Sequence, residues 1–297
     1  MPHLFNAALR TRKPLKIGDT SALRIIDGEG DGLPGTYLET FSDHWLLSTA
    51  SDHLPGALRT WLQQSEKSVY WKKLDQHEKE SPTHLSGPPQ DEPFVIRENG
   101  LRYQISFQSG YSQGIFLDQR DNRLRIRKLC QSGHTVLNTF AYTGAFSVAA
   151  AAGGATTTTL DLSQPYLDWA RDNMRLNSID PEQHYFIKGD TFHWLRRFAK
   201  QGRRFNGIIL DPPSFSRDDK GKVFRAETDY GHLAELAASC LHPGGWLLCT
   251  TNHRGISPRN FLQTVRAALP HSADLQTFPM PPDFNGDPYL KSILAAV

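Results

Sequence analysis

FNGIILDPPSFS, residues 205–216, is the stretch on which the fold turns: the apolar run Gly207–Leu210 is closed by Asp211 and followed at once by Pro212 and Pro213. A short apolar run bounded by turn residues reads as a buried strand. The two prolines remove two N–H donors and fix two φ angles, so the chain leaves the strand on a rigid path. Such a path could present Asp211 and nearby carbonyls to a planar, polar molecule while Phe215 stacks on it. A purely structural turn is the competing reading.

Outward from this strand, strands and helices alternate. HTVLNTF (134–140) precedes GAFSVAAAA (144–152), TTTTLDL (156–162) precedes QPYLDWARDNMRLN (164–177), and HYFIKGD (184–190) precedes TFHWLRRFAKQ (191–201). Beyond the prolines come FRAETDYGHLAELAASCL (224–241), GGWLLCTTN (244–252), PRNFLQTVRAAL (258–269) and a last apolar run, YLKSILAAV (289–297). This pattern predicts an α/β fold with a mostly parallel sheet covered by helices on both faces, and right-handed crossovers make it doubly wound.

The first third reads differently. Residues 1–20 are polar and basic without clear periodicity, and are expected to form an extended arm. The β-rich runs LRII, TYLET and HWLLSTA, separated by Gly, Asp and Pro, predict a small antiparallel sheet. A helix over about 53–66 and a strand at SVYWKKL (68–74) complete a compact α+β domain. Residues 75–93, rich in Pro, Ser and Glu, read as a loop or linker. FVIRE, the turn residues Asn99 and Gly100, and LRYQISF then predict a hairpin, and LDQRDNRLRIRKL (117–129) a charged amphipathic helix. The expected division is therefore residues 1–93 and residues 94–297.

Composition narrows the function classes. No apolar run approaches the roughly 18 residues that span a bilayer, and MPHLFNAALRTRKPLK has no apolar stretch behind its basic residues, so a cytoplasmic chain is expected. Cys130, Cys240 and Cys249 are widely spaced and flanked by apolar residues, which suits reduced core thiols better than disulfides or metal ligands. No metal is expected. A net charge of +2 does not announce a nucleic-acid partner, so any basic surface must be local. Its candidates are Arg120, Arg123, Arg125, Arg127 and Lys128, then Arg196, Arg197, Lys200, Arg203 and Arg204, with solvated helix faces as the alternative.

In doubly wound sheets, ligands sit beyond the carboxyl ends of the strands near the reversal of strand order. Four strand ends offer suitable chemistry. The turn Asn138-Thr139-Phe140-Ala141-Tyr142-Thr143-Gly144 leads into a helix whose first amides can hold a polar group. Its lone Gly144 leaves the dinucleotide fingerprint G-x-G-x-x-G absent, which removes the main support for NAD. Asp161 can accept both hydroxyls of a ribose, or simply cap a helix. Asp190, with Thr191, can bond an adenine amino group with Phe192 against the ring; capping by Asp190 is the competing reading and is compatible with it. Asp211 ends the fourth strand.

NTFAYTGAF, LDLS, KGDTF and especially LDPPSFS resemble the successive motifs of class I S-adenosylmethionine-dependent methyltransferases. GIFLDQRDNR with DPPSFS is similar to one branch, the bacterial large-subunit ribosomal RNA methyltransferases that make 5-methylcytosine or 7-methylguanosine. The likeness covers about residues 22–297, and Gly30, Asp31, Gly32, Leu33, Pro34 and Gly35 resemble that branch's small central domain. It implies a Rossmann-like sheet with an antiparallel last strand, S-adenosyl-L-methionine as cofactor, and large-subunit ribosomal RNA as partner. A homodimer is among the possible states. Many members carry an N-terminal PUA-type domain, for which this chain is expected to be too short in front.

Carried over by position, the resemblance implies cofactor contacts from Phe116, Asp118, Gln119 and Arg120, from Asn138, Phe140, Tyr142, Thr143 and Gly144, and from Asp161, Ser163, Asp190 and Thr191. Asp211, Pro212, Pro213, Phe215 and Asn252 would form the catalytic end, with Tyr111 as a further stacking candidate. Methylation of a pyrimidine C5 needs a cysteine thiolate to add at C6. Members that make 5-methylcytosine resemble one another in carrying that Cys where this chain has Asn252. Thr251-Asn252-His253-Arg254-Gly255 looks like the 7-methylguanosine members, so transfer to nitrogen is the expectation. 5-Methylcytosine formation, a small-molecule or protein N-methyltransferase, and a non-catalytic RNA-binding scaffold stay open as alternatives.

Overall fold

The computed structural model describes residues 2–74, 80–110, 112–217, 221 and 223–297. They divide into two compact units, Met1–Arg120 with Pro281–Pro288, and Asp121–Met280 with Tyr289–Val297. Packing thus moves the division from residue 93 to residue 120 and hands a short segment near the carboxyl end to the first unit.

In the first unit, α1 (Pro2–Arg12) is followed by β1 (Ala22–Asp27), β2 (Thr36–Phe41), β3 (His44–Thr49), α2 (Gly56–Gln63), β4 (Ser68–Lys73) and β5 (Thr83–Ser86). The five strands form one sheet in the order β1-β2-β3-β4-β5. Three expectations are corrected here. The sheet is mixed, because α2 is a crossover that returns β4 parallel to β3. The supposed arm is helix α1, which places Phe5 and Ala8 in the core and Arg12 beside them, a helical spacing that basic residues disguise. Part of the supposed linker is strand β5, paired antiparallel with β4.

The hairpin of β6 (Phe94–Glu98) and β7 (Leu101–Ile105) turns at Asn99 and Gly100, both at positive φ (51° and 77°), as a tight two-residue connection needs. It packs with the first unit: Gly100 N donates to Asp19 O and Ser21 N to Arg97 O. That is why residues 94–120 do not group with the α/β region.

Buried charge organises this unit. Arg12 makes two bonds to the Asp31 carboxylate, at 2.5 and 2.7 Å, and reaches the Asp283 carbonyl and Asn285. Arg120 pairs with both oxygens of Asp283 at 2.5 and 3.1 Å, and the amide of Arg24 donates to the same carboxylate. Each of these buried ions is satisfied by several partners, the condition under which such charges persist.

The second unit holds α3 (Arg120–Leu129, its first residue counted with the other unit), β8 (Thr135–Thr139), α4 (Ala145–Ala152), β9 (Thr156–Asp161), α5 (Gln164–Leu176), β10 (Tyr185–Lys188) and α6 (Thr191–Lys200). After β11 (Phe205–Leu210) come a short hairpin, β12 (Phe215–Arg217) and β13 (Val223–Arg225), then α7 (Ala226–Ala238), β14 (Leu241–Thr251), α8 (Pro258–Ala268), β15 (Asp274–Phe278) and β16 (Lys291–Ala296). The sheet order is β10-β9-β8-β11-β14-β16-β15. The first five strands are parallel and β16 runs antiparallel between β14 and β15. This is the expected Rossmann-like sheet with a reversed last strand, and strand order turns back between β8 and β11.

Leu137, Leu160, Ile208, Leu210 and Leu247 are fully buried beneath the helices. The helices begin where local chemistry allows: Asp190 caps α6 by accepting from His193 N, and Ser257 caps α8 with Pro258 as its first residue. The arginine run of α3 is not a solvated basic face. Arg120 and Arg123 are buried, Arg123 lies over the Phe146 ring, and Arg125 stacks 3.9 Å above Phe278. In the second basic cluster Arg203 is likewise spent, lying over Phe198 and Phe205 and bonding Thr158. Among the described residues no helix is long and apolar enough to cross a membrane.

Candidate active site

Because β10, β9, β8 and β11 are parallel neighbours, their carboxyl ends share one edge of the sheet. The register makes the adjacency direct: Lys188 pairs with Asp161, and Thr139 pairs with Leu160 on one side and Leu210 on the other. The turn at 138–144, Asp161, Asp190 and Asp211 therefore emerge side by side. Backbone bonds knit them together, Ala141 N to Leu160 O at 3.1 Å and Gly189 N to Asp161 O at 2.9 Å.

The turn after β8 is tightly coiled. Phe140, Tyr142 and Gly144 all take positive φ, at 52°, 51° and 72°. For the two aromatics this left-handed backbone costs about 1–2 kcal/mol each, and such strain gathers at functional sites. Gly144 is required: a Cβ there would sit 2.5 Å from the Cβ of Ala170 on α5. Asp161 stabilises the coil by accepting from Tyr142 N at 2.8 Å and from Ser163 N at 2.9 Å, one bond on each oxygen. A carboxylate has further lone pairs on both oxygens. Burial raises the Asp161 pKa above its ordinary value, against the lowering effect of those amides.

The end of β11 is tied to the end of β14 by two side-chain bonds. Thr250 Oγ1 donates to Asp211 Oδ1 at 2.5 Å, and Ser214 Oγ donates to Asn252 Oδ1 at 3.0 Å. Pro212 is buried and Pro213 exposed, so the pair turns the chain over the sheet edge. Phe215 is 52% exposed and pairs in the β12–β13 hairpin with Arg225, whose guanidinium lies 5.5 Å from the ring centre. The hairpin escaped the sequence reading, which ran the following helix straight from Phe224.

Several expected contacts turn out to face inward. Asn138 is buried and donates to Ser147 Oγ; Thr143 is fully buried, its carbonyl accepting from Asn173; Thr191 is buried. Phe192 packs against Phe224 in the core instead of lining a surface. In the first unit Phe116 is 48% exposed and Asp118 partly so, but Gln119 is buried and the Arg120 guanidinium is committed to Asp283. Tyr111 lies outside the described residues. Thr250 and Ser214 were missed as site residues, and only their places beside Asn252 and Asp211 in sequence could have flagged them.

The cysteines are free and buried. Cys249, inside β14, has its thiol pushed up to about 12 by burial. It is no nucleophile, in keeping with its reading as a small core residue.

Residues 59–295 match the family of S-adenosylmethionine-dependent methyltransferases. Ribosomal RNA large subunit methyltransferase I of Aeromonas salmonicida is 35% identical over 283 residues, which cover 91% of this chain and 71% of that protein. YwbD of Bacillus subtilis is 35% identical over 297 residues, covering 95% of this chain and 74% of that one. The crystal structure of SMU.776 complexed with SAH superposes with a TM-score of 0.90 at 29% identity, over all of this chain and 80% of that one. With strand-end acids on one edge of the β10-β9-β8-β11-β14-β16-β15 sheet and a family match over most of its length, the chain belongs to the S-adenosylmethionine-dependent methyltransferases.

Proposed function

We propose that this enzyme methylates a base of large-subunit ribosomal RNA, at a ring nitrogen of the guanine N7 type. The observation that carries the reading is the Asp211–Phe215 segment, where a carboxylate and an exposed aromatic ring stand together on a rigid path beside Asn252. The Aeromonas salmonicida relative is by its name a large-subunit ribosomal RNA methyltransferase.

The residues present fit the cofactor. Asp161 offers acceptor capacity on two oxygens to a ribose diol, Asp190 stands one strand further along, and the coiled turn of Phe140–Gly144 lies beside them, packed against α5 where Gly144 has no side chain. When bound, S-adenosylmethionine supplies an electrophilic methyl carbon on a cationic sulfur. The protein's own part is to hold a flipped or looped-out base in line with that carbon. Phe215 stacks on its face, as exposed aromatics do with unpaired RNA bases. The Asp211 carboxylate, an acceptor only, takes N–H groups at the base's edge and orients its ring nitrogen. Guanine N7 carries a lone pair and no proton, so alignment and electrostatics suffice.

The thiolate required for C5 transfer has no candidate in Cys249, which is buried and protonated, and this favours nitrogen over 5-methylcytosine. A homodimer forms no part of the proposal. Work on ribosomal RNA would place the enzyme in the cytoplasm. Mass-spectrometric nucleoside analysis of ribosomal RNA from a strain lacking the gene tests the reading: one methylated nucleoside should disappear from 23S-type RNA and return when the purified enzyme and S-adenosylmethionine are added. An unchanged nucleoside profile overturns it.

A further inference from the structure

The backbone ladder between β11 and β14 ends at the pair Leu210 and Cys249, one residue before Asp211 and Thr250. Beyond it the two strands part, and Tyr230 of α7 fills the opening. Its side chain is 1% exposed, and its hydroxyl lies 3.1 Å from Leu210 O and 3.0 Å from Thr250 O. One phenolic proton is thus shared by the carbonyls of the two residues that lead into the catalytic segment. Burial also drives the Tyr230 pKa far upward, so the hydroxyl stays a donor at every working pH. Thr250, itself fully buried, turns its hydroxyl onto Asp211 Oδ1 at 2.5 Å, with Leu210 O at a longer 3.3 Å.

Buried carbonyls need partners. Here the partner comes from a helix instead of the sheet, which lets the strands separate without leaving orphaned acceptors. The Thr250 hydroxyl sits on one oxygen of the Asp211 carboxylate and limits its rotation about the Cα–Cβ bond.

We infer that Tyr230 and Thr250 are positioning residues that set the direction of the Asp211 carboxylate for the transfer step. The inference rests on the role proposed for Asp211. Tyr230 holds the two strand ends at a fixed separation, and Thr250 holds one carboxylate oxygen, so that Asp211 meets the base already oriented. Neither hydroxyl needs to touch substrate.

The test uses the full chain, tritiated S-adenosylmethionine and ribosomal RNA from the deletion strain, with kcat and KM separated and cofactor Kd measured by calorimetry. Thr250→Val keeps shape and removes the hydroxyl; it should lower kcat on the order of 100-fold, the scale of a misplaced catalytic group. Cofactor Kd and RNA KM should stay within about twofold, because the loss falls on the transition state alone. Thr250→Ser, which keeps the hydroxyl, should recover most of the rate. Tyr230→Phe should show the same split at a smaller amplitude and retain a cooperative melt.

Full kcat in Thr250→Val, or equal impairment of the Val and Ser variants, overturns the inference, as does a Tyr230→Phe variant of wild-type rate. Asp211→Asn is run in parallel. Activity retained there removes the underlying reading of the site, whereas an inactive Asp211→Asn beside a fully active Thr250→Val removes only the positioning role.

Discussion

The amide of Tyr142 donates 2.8 Å to Oδ2 of Asp161, so the strained turn after one strand is held by the acid that ends its neighbour. Two elements of a cofactor site are thereby coupled: the carboxylate that would take a ribose also keeps an aromatic residue at positive φ. Damage to either should appear in both.

Asp161→Ala should weaken S-adenosylmethionine binding by 10-fold or more, since a hydrogen bond to a charged acceptor contributes about 1.5–3 kcal/mol. Burial raises the Asp161 pKa above 3.8, so the folded state takes up a proton at higher pH than the unfolded chain does. Cofactor affinity should then fall with decreasing pH before 3.8 is reached. Between 3.8 and the raised value the unligated fold should lose stability as pH rises, a slope that Asp161→Asn removes. Calorimetric titration across that range checks the prediction, and an affinity flat down to 3.8 contradicts it.

Cys249→Ser should keep most of the activity, and the native protein should resist thiol-alkylating reagents. All three cysteines are buried, with the Cys130 and Cys249 thiols pushed up to about 12. Reagent uptake measured with and without denaturant decides this. Rapid modification that stops turnover would reopen the cytosine chemistry.

Removing one partner of the Arg120–Asp283 pair should destabilise the protein by about 3–5 kcal/mol, because the survivor is a buried ion that has lost its opposite charge. Asp283→Leu combined with Arg120→Met should be less damaging than either change alone. Chemical denaturation of the four proteins of this cycle gives the answer, and additive losses would show that the two side chains are not coupled.

Gly144→Ala combines a backbone penalty with a collision. A left-handed alanine costs about 1–2 kcal/mol, and its Cβ would meet that of Ala170 at 2.5 Å. Lower melting temperature and weaker cofactor binding are expected together. Ala170→Gly, which empties the contact, should restore part of the loss, and failure of that rescue would leave φ as the only cause.

Phe215→Ala should raise KM for RNA on the order of 10-fold with cofactor Kd unchanged, given about 1–3 kcal/mol for one aromatic–base stack. Phe215→Trp should retain function. Steady-state kinetics at varied RNA separates the two parameters, and an unaltered KM in the alanine variant would exclude stacking by this ring.

The α/β unit was readable because its signals are local. Several of its strands are short runs closed by a polar turn residue, as at Asp161, Asp211 and Asn252, and two of its helices carry a capping start residue, Asp190 and Ser257. The four strand-end positions followed from chain order alone once the sheet was taken as parallel. What escaped depends on partners far away in sequence. Arg12 reads as a surface cation, yet Asp31 and Asp283 make it a core residue of α1. The α3 arginines read as a charged face, yet Phe146, Phe278 and Asp283 absorb them. Within the site, Asp161 and Asp211 were legible as acids at strand ends, whereas Thr250 and Tyr230 became visible only through the parting of β11 and β14.

The return of Pro281–Pro288 to the first unit has a bearing on synthesis. Arg120 is translated well before Asp283, the residue whose carboxylate it pairs with. Arg12 and Arg24 already have Asp31, Asp27 and Glu39 as partners, so the amino-terminal sheet can form early, and only the contacts that Asp283 makes wait for the later segment. On a ribosome stalled shortly before codon 283, the residues around Arg120 should be more open to protease than in the released protein.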